Sequence, residues 1–322
     1  MLVESAEAHV RPARGRVAKR VARAAAYAAV LSTVCGACAG RAPGRKVIGV
    51  TLLTEGHSFY KELEAGVRDE AAAKGFDVVV VACEMDPTKQ ASQIEDFVAR
   101  RVAAILAAPC DSSAVVPALE GPAQAGIPVF TADISAHGGK IVSHVASDNV
   151  QGGRLAAQAL AAATGGKGKV IVIDQPTVAS VQDRVRGFEE GLTAFPGMTI
   201  VAKPSAEGTR PKAAQVMEDM LQAHHDLAGV FGINDDSALG ALGVLLAAHR
   251  TDIAIVGYDA TDEARAAIKS GGPLKADVAQ SPRTIGKTAI DLIARYLGGQ
   301  TVPPLVQIPV SLVDAKSLGA PQ

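Results

Sequence analysis

The sequence predicts an α/β protein made of two doubly wound, parallel-sheet lobes. Three observations lead there. Val, Ile, Leu and Ala recur in short continuous blocks rather than alternating with polar residues, as in strands buried on both faces. A segment of helical spacing follows almost every block, and strand–helix alternation builds parallel sheets with right-handed crossovers. The pattern gives ten strands in two sets of five, dividing near Asp148. Each set reads as one Rossmann-like lobe.

The elements follow in order. "KVIGVTLL" is the first strand, and "SFYKELEAGVRDEAAAKG" is a helix closed by Gly75, suited to a left-handed C-terminal cap. "FDVVVVACE" and "VAAILAAP" are the second and third strands, separated by a helix that starts at Pro87. A helix around 114–125 precedes "IPVFTAD"; a shorter fifth strand, "KIVSHVASD", leads into the helix "NVQGGRLAAQALAAAT". The second set reads "GKVIVIDQ", "MTIVAKPS", "LAGVFGIND", "IAIVGYDA" and "LKADVAQS", with helices at about 180–194, 210–224, 236–248 and 261–269. A last helix, "RTIGKTAIDLIARYLGG", and short strands in "PLVQIPVSLV" complete the chain. No Ser/Gly-rich linker marks the division, so the chain is expected to cross between lobes more than once and form a hinge.

A chain of 322 residues is long enough for two cores, and 48% of it is hydrophobic. The net charge of −1 offers no basic field for nucleic acid, and 3% aromatic content without Trp offers no stacking platform. Residues 1–45 differ from the rest. Arg11, Arg14, Arg16, Lys19, Arg20 and Arg23 precede "AAAYAAVLSTVCGAC". That apolar run, roughly 15 residues, is short for a membrane span and fits an export signal. Within it, "VCGAC" resembles a lipoprotein processing site with Cys38 as the lipidation candidate, although Cys35 stands where Leu is usual. Plain cleavage nearby is the alternative. The C-x-x-C spacing has no second pair or His cluster to complete a metal site. Cys83 and Cys110 lie at or just past strand ends. Two buried thiols fit this placement, and so does a disulfide in an oxidising compartment.

Open α/β sheets bind ligands beyond the carboxyl ends of their strands. There the sequence places His57, Phe59 and Tyr60 after the first strand and Asp133 after the fourth. Arg184 lies on the helix after the sixth strand. Asn234, Asp235 and Asp236 follow the eighth strand, Asp259 the ninth and Gln280 the tenth. Carboxylates and amides accept from adjacent hydroxyls, a guanidinium donates as a fixed fork, and an aromatic face suits the C–H face of a sugar ring. The set suits an uncharged, polyhydroxylated ligand. Each residue also has a plainer reading, as helix cap, loop cap or surface ion pair.

The segments "VSHVASDNVQGG", "VFGINDDSALGAL", "IVGYDATDEA" and "VAQSPRTIG" resemble the periplasmic sugar-binding proteins of ABC importers, ribose type, over about 47–313. The resemblance implies two lobes joined by three hinge crossings. The first is 46–148 plus 281–309, and the second 149–280 plus 310–322, after an export segment at 1–45. It implies sugar contacts at His57, Phe59, Tyr60, Asp133, Arg184, Asn234, Asp259 and Gln280, with Asp235 or Asp236 capping the helix that Asn234 precedes. It also implies a monomer that is exported, either periplasmic or lipid-anchored. Its partners would be a sugar or polyol, an ABC permease and a chemoreceptor, with no cofactor, metal or catalysis. The sequence departs from the ribose type at four places. His57 stands for Asn, Ile134 for Arg, Leu53 for Ser, and Gly208 for a stacking Phe. A smaller wall at Gly208 admits a larger ligand, unless another residue fills the space.

Two other classes fit less well. A regulator of the lactose-repressor type shares the fold but needs an N-terminal helix-turn-helix, and residues 1–45 contain no polar recognition helix. An enzyme on this scaffold would need a motif that is missing: there is no G-x-S-x-G, H-E-x-x-H or complete P-loop. The adjacent His224 and His225 cannot face one site from a helix.

Overall fold

The computed structural model describes residues 45–319. The export segment and Cys38 lie outside the described residues. Two six-stranded sheets form the framework, the first all parallel and the second mixed. The first has strand order β11-β5-β4-β3-β1-β2 and the second β12-β10-β9-β8-β6-β7. The first comprises β1 (Val47–Leu52), β2 (Asp77–Ala82), β3 (Ala104–Ala107), β4 (Val129–Ala132), β5 (Ile141–Ser147) and β11 (Leu305–Ile308). The second comprises β6 (Lys167–Ile173), β7 (Gly197–Ala202), β8 (Leu227–Gly232), β9 (Ala254–Asp259), β10 (Leu274–Ala279) and β12 (Ser311–Asp314). Every pairing is parallel except β10 with β12. The chain therefore passes between the sheets after β5, after β10 and after β11.

Helices cover the sheets: α1 (Ser58–Lys74), α2 (Pro87–Ala99), α3 (Glu120–Gln124), α4 (Asn149–Thr164), α5 (Ala179–Leu192), α6 (Arg210–Ala223), α7 (Asp235–Ala247), α8 (Asp262–Lys269) and α9 (Pro282–Leu297). Gly75 ends α1 in the left-handed region at φ 77° and donates back to the helix carbonyls. The expected helix over 114–125 is only a 3-10 turn (Val116–Leu119) followed by the short α3. Pro117 and Pro122, which lack N–H groups, and Gly121 disfavour a regular helix there.

The continuous apolar runs are core strands where they lie inside a sheet. β3 and β4 are buried throughout. The Val run of β2 is only half-buried because β2 is an edge, as is β7. The fifth strand is not short. It has seven residues, as many as β6. Its polar Ser143 and His144 hid its length in the sequence. Ser143 is fully buried, and the His144 ring meets Thr131 Oγ1 at 2.8 Å on the neighbouring strand. Burial holds His144 neutral, its pKa lowered to about 4.

Cys83 and Cys110 form a disulfide. It joins the loops that leave β2 and β3, and both residues are buried. One helix pair in each lobe packs closely through glycine. In the first lobe, a Cβ at Gly66 would strike the Arg283 carbonyl of α9, and one at Gly286 the Leu63 carbonyl of α1. In the second, a Cβ at Gly153 would strike the Arg184 carbonyl, and one at Gly187 the Val150 carbonyl. The second contact sets α5 against α4 just where Arg184 leaves the helix. Gly187→Ala is therefore expected to destabilise the protein by about 1–3 kcal/mol through overpacking, read as a lowered urea midpoint. A wild-type midpoint would show that the two helices separate without cost.

Candidate functional site

The carboxyl ends of both sheets converge on one cavity of about 230 Å³. All eight residues expected to contact ligand line it: His57, Phe59, Tyr60 and Asp133 from the first lobe, and Arg184, Asn234, Asp259 and Gln280 from the second. The lobes touch across it. Ser112 N donates to Thr177 O at 3.0 Å, and Ala179 N donates to Ser112 Oγ at 2.9 Å.

The first-lobe wall begins at the N-terminus of α1. His57 is the N-cap, its Nδ1 accepting from Phe59 N at 3.1 Å. An accepting Nδ1 puts the proton of a neutral imidazole on Nε2. That nitrogen lies 3.4 Å from Asp259 Oδ2 in the other lobe. His57 is thus a helix cap that also lines the cavity. Phe59 and Tyr60 pack edge to face, with centroids 5.2 Å apart. Tyr60 OH donates to Asp133 Oδ2 at 2.7 Å, while Asp133 Oδ1 is buried without a hydrogen-bond partner. Burial raises the Asp133 carboxyl to about 6, against the opposing pull of Arg184 and the Tyr60 hydroxyl. Tyr60 itself is held well above its usual value, by burial first and then by the Asp133 charge.

Arg184 is buried, so the surface ion-pair reading does not apply. Its Nε donates to Asn149 Oδ1 at 2.9 Å and its Nη1 to Ile233 O at 2.8 Å. The guanidinium lies 3.9 Å over the Tyr258 ring. These contacts fix the fork at the cavity wall.

The tip of β8 corrects one expectation. The cap of α7 is Asn234, not Asp235 or Asp236: its Oδ1 accepts from Ser237 N at 2.9 Å. Its Nδ2 donates to Gly208 O at 3.0 Å. Asp236 pairs with Arg210 at 3.3 Å. Asp235 turns inward. Its Oδ2 accepts from Thr261 N at 2.7 Å, and Asp277 Oδ1 accepts from Ala260 N at 2.9 Å. The remaining oxygens, Asp235 Oδ1 and Asp277 Oδ2, are buried with no donor from elsewhere in the described residues. They meet beside Gly257, where a Cβ would strike Asp277 Oδ2 and come within 3.1 Å of Asp235 Oδ1. Burial raises Asp235 to about 6 and Asp277 well above the usual carboxylate range. The two carboxyls thus bond each other through a shared proton.

This acid pair grips the backbone just after Asp259. Asp259 and Ala260 both have positive φ, 115° and 52°. Asp133, the other cavity carboxylate, has φ 65°. Non-glycine residues in this region are held there by their surroundings and gather at functional sites. Asp259 Oδ1 accepts from Gln280 Nε2 at 2.6 Å, and Gln280 Oε1 accepts from Ser147 Oγ at 2.6 Å. A chain of hydrogen bonds therefore runs from the end of β5 to Asp259.

Sequence reasoning missed several lining residues, among them Thr54, Met85, Gln175, Ser180 and Thr209. They sit in loops or first turns where no strand-end rule singles out one side chain. Leu53, Ile134 and Gly208, the departures from the ribose type, also line the cavity. Among the described residues no group of three or more His, Cys, Asp or Glu is placed to hold a metal ion.

Comparison with known proteins agrees with this geometry. Residues 48–301 match the periplasmic binding protein domain. The ribose import binding protein of Bacillus subtilis (strain 168) is 37% identical over 270 residues, 84% of this chain and 87% of that one. An ABC transporter solute-binding protein from Mycobacterium smegmatis, solved with glycerol bound, superposes with a TM-score of 0.81 at 34% identity, over 87% of this chain and 98% of its own. One from Agrobacterium vitis, solved with α-D-tagatopyranose, gives 0.81 at 30% identity, over 86% and 97%. Two sheets crossed three times by the chain, a cavity between them and matches spanning nearly all the described residues lead to one conclusion: the chain belongs to the periplasmic binding protein family.

Proposed function

We propose that this protein captures one neutral monosaccharide or polyol between its lobes and delivers it to an ABC-type permease in the membrane. The observation that carries the reading is the convergence of Asp133, Arg184, Asp259 and Gln280 on one cavity beside Phe59 and Tyr60. Two carboxylates face one guanidinium, which disfavours anionic guests. Acceptors and donors spaced around an aromatic wall suit vicinal hydroxyls. The cavity of about 230 Å³ suits a single small ring or chain. The resemblance to proteins solved with a sugar and with glycerol supports the same ligand class.

In the proposal, residues 46–148 plus 281–309 move as one lobe and 149–280 plus 310–322 as the other. The hinge is the three crossings near Asp148, Gln280 and Val310. Ligand selects the closed form because both lobes contact it only there. The permease then reads the closed form, and the protein performs no covalent chemistry. The protein acts as an exported monomer.

Asp259→Ala is expected to weaken binding by one to two orders of magnitude. It strands a ligand hydroxyl, at about 1–3 kcal/mol for an unpaired buried partner, while the loss to Gln280 falls on free and bound protein alike. Titration calorimetry against D-ribose, D-tagatose, xylitol and glycerol measures the loss. Wild-type affinity in that variant for a compound the protein binds would remove Asp259 from the site.

Asp133 gives a prediction in pH. Its folded pKa of about 6 exceeds the unfolded value of ~3.9. Its ionisation therefore costs the unliganded fold stability, on the order of 1–3 kcal/mol, as pH rises through that window. Asp133→Asn is expected to raise the melting temperature of the unliganded protein at pH 7–8 and leave it nearly unchanged at pH 4. Ligand hydroxyls that donate to Asp133 favour its ionised form. Wild-type affinity should therefore fall below about pH 6 and the variant's should not. An equal pH profile in both proteins would place the titrating group elsewhere.

A further inference from the structure

Gly208 is left-handed, with φ 66°, at the cavity wall. A Cβ there would strike Gln175 Oε1 and come within 3.4 Å of Asn234 Nδ2. The Gln175 carboxamide thus lies against the face of Gly208, in space that any larger side chain at 208 would claim. Gln175 is only 7% exposed and lines the cavity. Its backbone is held: Gln175 N donates to Asp174 Oδ1 at 2.7 Å. No hydrogen bond to its carboxamide is found among the described residues, and neither end is among the fully buried unpartnered atoms, so both remain open to the cavity. The neighbouring amide of Asn234 is, by contrast, committed at both ends, to Ser237 N and Gly208 O.

We infer that Gln175 is a specificity-determining residue, admitted by Gly208, which hydrogen-bonds a hydroxyl that the guest presents to the second lobe. The inference rests on the sugar-binding reading above and deepens it. The first lobe offers aromatic rings, Phe59 and Tyr60, that accept an apolar C–H surface. The second offers at this point a carboxamide with one donor end and one acceptor end. A flat apolar face turned toward the second lobe would leave both ends unpaired. The class favoured is a sugar or polyol with one apolar face toward the rings and a hydroxyl-bearing edge toward Gln175. Asn234, which caps α7, and Arg184, which is held by Asn149 and Ile233, are anchored to the protein, whereas the Gln175 carboxamide is not.

The test uses Gln175→Met, which keeps the length and shape of the side chain but removes both hydrogen-bonding ends, with Asp259→Ala as the control. Titration calorimetry is run with D-ribose, D-tagatose, xylitol and glycerol, and melting temperatures check the fold. For compounds that the wild type binds, Gln175→Met is expected to lose about 3- to 10-fold in affinity, the range of one neutral hydrogen bond, with its melting point unchanged. Gly208→Ala, which pushes the carboxamide from its seat, should lose affinity in the wild-type background and lose little more when added to Gln175→Met. If Gln175→Met binds like wild type while Asp259→Ala does not, the inference is overturned and the sugar-binding reading stands. If the wild type binds none of the four compounds, both are overturned.

Discussion

The site depends on holding the Asp259 carboxylate at the tip of β9 in a backbone conformation that its own residue type resists. Asp259 and Ala260 take consecutive positive φ angles, at a cost on the order of 1–3 kcal/mol each. The surroundings meet that cost through bonds to the next two amides. Ala260 N donates to Asp277 and Thr261 N to Asp235. Those two carboxyls in turn need each other, since neither has another donor for its inner oxygen. Removing either would leave the other a buried, half-satisfied acid, and this is costlier than never having buried the pair. The three acids Asp235, Asp259 and Asp277 thus form one device: two of them brace the loop so that the third lines the cavity.

The same carboxylate couples the lobes. His57 Nε2 reaches Asp259 from the first lobe, and Gln280 ties it to Ser147 at the end of β5, beside the first crossing. Ser112 adds two direct bonds to the second lobe near α5. These contacts bridge the two lobes. Each lowers the free energy of the closed form by an amount no greater than a net hydrogen bond, about 0.5–1.5 kcal/mol. They bias the equilibrium without deciding it, and the guest's differential affinity for the closed form supplies the rest. The disulfide lies at this seam. It fastens the loop carrying Met85, which lines the cavity, to the loop carrying Ser112, which touches the other lobe.

Much of this architecture was legible because it follows from periodicity. Apolar blocks at β1, β3, β4, β6 and β8 are where two-sided burial demands them, and polar residues at the strand tips reach one cavity because a parallel sheet points every tip the same way. What was illegible depended on partners distant in sequence. β5 looked short because Ser143 and His144 are polar, yet each is accommodated inside the fold. Three consecutive polar residues at Asn234 offered three possible caps, and only the inward pull of Thr261 and Asp277 on Asp235 leaves the cap to Asn234. Gly208 could be recognised as a missing wall, but the side chain that fills the space comes from β6's far end, more than thirty positions earlier. No local signal marks Gln175.

The distribution of stress across the two lobes is itself informative. Several of the fold's unfavourable features meet at the cavity: left-handed Asp133 and Asp259, an Asp133 oxygen with no partner, and a carboxyl raised to about 6 by burial. A sequence selected for stability alone would place Asn or an apolar residue at 133, since a neutral side chain escapes the desolvation penalty. An uncharged guest with hydroxyl donors reverses that preference. An ionised carboxylate accepts hydrogen bonds about twice as strong as a neutral amide does, and much of its own desolvation has already been incurred in folding. The strain is therefore placed where binding can recover it, and the unliganded protein is less stable than its core would allow because its site is built before the guest arrives.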